Sequence, residues 1–163
     1  MKELAQACLR TTVAKSMTKT EAAQQQLEGA IANLYLGNWA CAITLAGAAE
    51  DVMPSPPNEA DLFTTALKLG QEQYHLSSTA IVSMYNEKRN WLKHHQTGNA
   101  DLKLSQDFRQ EDAVIIILRA YTRFAAITKS ASEHITGFDS WLQKNYSDWL
   151  SSSEESPSIG TPK

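Results

Sequence analysis

The sequence predicts an all-α protein, a bundle of about five to seven helices, on three observations. Apolar residues recur at helical spacing through much of the chain, and no segment sustains the alternation of a half-buried strand. Breakers are few, with 7 glycines and 5 prolines in 163 residues, and three of the prolines fall within Pro54-Ser55-Pro56-Pro57. The run Ala113-Val114-Ile115-Ile116-Ile117-Leu118 is apolar all round, as expected of the most buried helix in a bundle. At 18.0 kDa the chain suits one domain with a proper core, which we place at residues 1–150. Residues 151–163, rich in Ser, Pro, Gly and Glu, read as a disordered tail.

Residues 2–16 can form a first helix through Leu4, Ala7, Cys8 and Val13, weakened by Thr11 and Thr12. The next starts at Thr20, carries Glu21 in its first turn and Leu27, Ala30, Ile31 and Leu34 as its apolar row, and stops at Gly37. Asn38 then caps a helix over 39–53, making a tight helix hairpin. Its Ala and Gly content lets another helix approach closely along Ala42, Ala46 and Ala49, and Cys41 reads as a small packed hydrophobe. The proline cluster ends that helix, and Asn58 caps a segment from Glu59 to Lys68. Ser77 or Ser78 caps a helix reaching about His95, and Gln96–Asn99 form a turn. An acid-capped helix follows from Asp107 to Thr128, and a last one holds Ile135, Phe138, Trp141 and Leu142 and extends towards Trp149. The expected core includes Ile31, Leu34, Ile43, Ala46, Ile81, Leu92, Ile116 and Phe124.

The net charge of −3 and pI of 5.8 do not advertise nucleic-acid binding over the whole surface. Charge is uneven, however: Lys88, Arg89, Lys93, Lys103 and Arg109 stand against Glu87, Asp101 and Asp107, which predicts a small basic patch. Two cysteines make no disulfide framework. The first twenty residues lack the apolar core of a signal peptide, and no apolar run approaches the roughly 18 residues of a membrane span. A soluble, cytoplasmic protein is expected. No phosphate-cradling Gly-rich loop, Gly-x-Ser-x-Gly frame or zinc-type cysteine spacing occurs. His94 and His95 point about 100° apart on a helix with no carboxylate at i+4, so neither a metal nor a cofactor is expected.

Chemistry concentrates in Asn86-Glu87-Lys88-Arg89-Asn90-Trp91-Leu92-Lys93-His94-His95. On a helix, Ile81, Met84, Tyr85, Trp91, Leu92 and His95 share one face, which predicts a core side. Asn86, Asn90 and His94 follow at i, i+4 and i+8 as a polar stripe on the other side, with Arg89 at its edge. Lys88 falls in the apolar sector, where its stem can pack and its ammonium snorkel outward. Glu50, near the end of the Ala-rich helix, is either a solvated helix-end carboxylate or a polar partner for the Arg89/His94 cleft. His75 and His134 read as structural or solvated, and Arg89 has a plain alternative as the partner of a surface carboxylate.

The spacing from Arg89 to His94, with polar Asn90 after the arginine, resembles the signature of the HEPN superfamily of small all-α domains. The small-residue hairpin of Gly37–Ala42 and Leu45–Glu50 is similar to the one that precedes the motif helix in that family. The run Asn90–His94 followed by Asn99-Ala100-Asp101 also resembles a set of uncharacterised bacterial proteins, with Leu92 and His95 departing from it. The resemblance covers roughly residues 20–130. It implies a HEPN-like bundle and, in many members, a metal-independent ribonuclease of a toxin or phage-defence system. In that reading Arg89, Asn90 and His94 are catalytic, while Glu50, Asn86 and Lys93 bind substrate. Arg89 and His94 lie about 140° apart around one helix, and the family's solution, a twofold homodimer with facing motif helices, is implied here. RNA or a nucleotide is then the ligand, and an antitoxin protein a possible partner. The alternative is a non-catalytic helical module that binds a nucleotide or another protein.

Overall fold

The computed structural model describes residues 16–54, 71–72, 75, 77–93, 105–128 and 132–147. Within them are five α-helices and no strand: α1 (Lys19–Tyr35), α2 (Trp39–Val52), α3 (Ser78–Lys93), α4 (Gln110–Thr128) and α5 (Glu133–Asn145). The expected helices over 2–16 and 59–68, the turn at 96–99 and the tail at 151–163 lie outside the described residues.

Helix α1 begins two residues earlier than expected, because Thr18 rather than Thr20 caps it. Thr18 stands three before Glu21, the spacing of a capping box. Its hydroxyl accepts from the Glu21 N–H at 3.2 Å, and its own N–H donates to Glu21 Oε2 at 2.7 Å. At the other end Gly37 takes φ +75°, a left-handed conformation costly for a side chain. There the Gly37 N–H donates to the Leu34 carbonyl and the Asn38 N–H to the Asn33 carbonyl, which satisfies the last turn as a Schellman motif. Asn38 stands at the cap position of α2 as expected, but makes no side-chain capping bond; its amide reaches Asn33 Oδ1 at 3.4 Å instead.

The hairpin brings α2 back along α1. Ala42, Ile43, Ala46 and Ala49 of α2 are buried, and Leu45 Cδ1 sits 3.3 Å from where a β-carbon on Gly29 would be. Helix α2 is the centre of the bundle, packed against α1, α3 and α4, while α1 also meets α4 and α5. Cys41 departs from expectation: it is exposed, because the buried row of α2 runs through 42, 43, 46 and 49 and leaves position 41 outside.

The core of α4 is Ala113, Val114, Ile116, Ile117, Ala120 and Phe124, as its apolar run predicts. That helix starts at Gln110 rather than Asp107, with Asp112 accepting from the Arg109 N–H at 2.8 Å. Ser132 caps α5, which buries Ile135, Phe138 and Leu142. Seven of the eight residues expected in the core are buried, and Leu92 is half-buried against it. Among the described residues no helix is long and apolar enough to cross a membrane.

Candidate functional site

The site is built where the C-terminal ends of α2 and α3 meet the middle of α4, around Glu50. On α2, Glu50 follows Ala42, Ala46 and Ala49 on the inward face, so its carboxylate is carried in with them and is 3% exposed. Burying a lone carboxylate is prohibitive, and this one is surrounded by guanidinium groups. Arg119 of α4 grips it with two nitrogens: Nη2 donates to Oε1 at 2.8 Å and Oε2 at 3.0 Å, and Nε to Oε1 at 3.2 Å. Arg123, one turn on, holds its Nη2 3.7 Å from Oε1 and donates from Nη1 to the Glu50 backbone carbonyl at 3.3 Å. Arg89 of α3 donates to Oε2 at 3.4 Å.

Asp51, the next residue, lies half-exposed at the rim and accepts from both Arg89 and Lys93, the latter at 2.8 Å. Burial pulls the Asp51 carboxyl upward, and the hydrogen bonds and charges of Arg89 and Lys93 outweigh it, leaving its pKa below the ordinary aspartate value. A depressed carboxylate contributes its pairing at neutral pH and loses it only as pH falls below the ordinary aspartate range. Among the described residues, four cations thus share two carboxylates on a chain of net charge −3.

Helix α3 presents its predicted apolar face only in part. Ile81 is buried and Tyr85 and Leu92 are half-buried, but Met84 and Trp91, expected in the core, are 58% and 39% exposed. The inward side carries Asn86, Arg89 and Leu92, and Asn90 is exposed. Asn86 does not line a stripe with Asn90: its Oδ1 accepts from Arg119 Nη1 at 3.1 Å, and the Tyr85 carbonyl lies 3.5 Å from the same nitrogen. Arg89 is not at an edge facing solvent or a second copy, since its side chain is only 11% exposed and is paired within the chain. Polar pairing with α2 and α4 sets the rotation of α3, at the expense of its apolar side chains. Lys88 is half-buried, with its ammonium 3.8 Å from Glu87.

Of the residues singled out in the sequence, Glu50, Asn86, Arg89 and Lys93 come together here, and Asn90 stays on the outer surface. His94 and His95 lie outside the described residues, directly after the last residue of α3. Arg119 and Arg123 were missed by sequence reasoning. The signal was present: an arginine inside the most apolar helix must have a buried partner, and Glu50 in the Ala-rich helix is the matching acid. Among the described residues no group of His, Cys, Asp and Glu could hold a metal ion.

Room for Arg89 is made by Gly47. A β-carbon there would stand 2.7 Å from Arg89 Nε and 3.0 Å from its Cδ, and that Nε is buried without a hydrogen-bond partner. Helix propensity alone favours Gly47→Ala by about 1 kcal/mol. Displacing Arg89 forfeits charge-assisted bonds of the kind worth about 1.5–3 kcal/mol. Gly47→Ala is therefore expected to be about 1 kcal/mol less stable in denaturant unfolding. A gain in stability would show that the arginine moves aside freely. Compared with known proteins, the chain matches no family model, no curated protein and no solved structure.

Proposed function

We propose that this chain is a HEPN-like, metal-independent endoribonuclease that acts on RNA in a toxin or defence setting. The observation that carries the reading is the buried carboxylate of Glu50, which gathers Arg89, Arg119 and Arg123 at the end of the helix that leads into His94. A bundle seeking stability alone gains little from such a cluster, because apolar residues of similar volume commonly serve as well. What the cluster supplies is a cation held in place. In the proposed reaction the 2′-oxygen of RNA attacks the adjacent phosphorus, and the 5′-oxygen leaves as a hydroxyl. Arg89 balances the charge that builds on the phosphoryl oxygens, and His94, able to change protonation near neutral pH, carries the proton. Asn90 orients His94 or the phosphate, Lys93 draws the RNA backbone in, and Glu50 and Asn86 hold the arginines. A twofold homodimer would set two such helix ends against one RNA, and an antitoxin protein would cover them.

A second reading, a non-catalytic helical module that binds a nucleotide or a protein, is favoured by one observation. Arg89 is largely buried and already paired with Glu50 and Asp51, as a purely structural tie would be. Incubating the purified protein with single-stranded RNA in EDTA separates the two. Cleavage is expected, and His94→Ala or Arg89→Ala should abolish it with helical content unchanged by circular dichroism. Intact RNA across a range of substrates would decide for the module.

A further inference from the structure

We propose that Asp51 is the site's resident substitute for a phosphate. Its carboxylate occupies the place on Arg89 and Lys93 that a backbone phosphodiester of single-stranded RNA takes up on binding. The inference rests on the RNA reading above but concerns binding, not cleavage.

Three observations carry it. First, Asp51 Oδ2 is shared between Arg89 and Lys93, an anionic oxygen between two cations on successive turns of one helix. A phosphodiester oxygen makes the same pair of contacts. Second, the two neighbouring carboxylates differ in freedom: the Glu50 side chain is 3% exposed and locked, whereas that of Asp51 is 51% exposed at the rim. A half-exposed carboxylate can turn outward and exchange its partners for water, as a buried one cannot. Third, Arg89 holds a second anion besides Asp51, donating to the Glu50 carboxylate at 3.4 Å. The cation therefore stays aimed while the anion in front of it changes. With Asp51 turned away, Arg89 and Lys93 lose the anion they share, and the vacated place between two cations is favourable to a negative group.

The test uses a short, fluorescently labelled 2′-O-methyl single-stranded oligonucleotide, which cannot be cleaved through its 2′-oxygen, with affinity read by anisotropy. Asp51→Asn keeps the shape of the side chain and removes the competing charge. It is expected to tighten binding about tenfold, the worth of one charge-assisted contact no longer contested. Glu87→Gln makes the same charge change on an exposed side chain of α3, roughly 200° around that helix from Arg89, and should alter affinity by less than about twofold. Equal tightening by both would reduce the effect to overall charge and overturn the proposal. So would unchanged or weaker binding by Asp51→Asn, the result expected if Asp51 only braces Arg89, and so would no binding by any form. Cleavage of unmodified RNA is scored separately, so loss of the nuclease reading leaves this result interpretable.

Discussion

Glu50→Ala is expected to destabilise the protein by about 3–5 kcal/mol, the cost of stripping the partner from a buried ion pair. Arg119 is itself 5% exposed, so truncation leaves a guanidinium without the carboxylate that made its burial tolerable. Two more arginines lose an anion with it, since Arg89 and Arg123 approach the same carboxylate. For a chain of this size the loss corresponds to a fall in melting temperature of about 10–15 °C. Glu50→Gln should cost less, because one amide oxygen can still accept from Arg119 while the charge is gone. Both are measured by thermal and denaturant unfolding. If Glu50→Ala melted within a degree or two of the parent, the carboxylate could not be the hub that its geometry describes.

Phe138→Ala is expected to cost about as much, roughly 3–5 kcal/mol, by an unrelated route. Phe138 is fully buried, stacked on Trp141 with ring centroids 5.9 Å apart and edge-on to Tyr121 at 6.3 Å. Removing the ring opens a cavity under α5 and ends both aromatic contacts. The two losses should add, since the sites belong to different contact networks. Unlike Glu50→Ala, the Phe138 variant should leave oligonucleotide affinity unchanged under conditions where it is folded.

What was legible in the sequence follows from which forces act locally. Gly37 ended α1 because only a residue without a side chain enters the left-handed turn cheaply, and that requirement shows in a single letter. The buried faces of α1 and α4 were legible because their apolar rows match the helical period. The start of α1 was misplaced by two residues because either threonine can cap, and the Thr18–Glu21 spacing decides between them. The face of α3 was legible only in part, for a deeper reason. Periodicity weighs the apolar residues of one helix, whereas its rotation is set by Glu50, which lies 39 positions before Arg89, and by Arg119, 33 positions after Asn86. Pairing across such distances leaves no periodic trace.

The end of α2 at this site has an electrical consequence of its own. Helix α2 finishes here, at Val52, and the Glu50 carbonyl in its last turn accepts from Arg123 Nη1. Aligned peptide dipoles give such an end roughly half a negative charge. That partial charge adds to those of Glu50 and Asp51, so the backbone helps the two carboxylates to hold the cations gathered here. A group that takes the place of Asp51 therefore meets cations already partly balanced by the backbone.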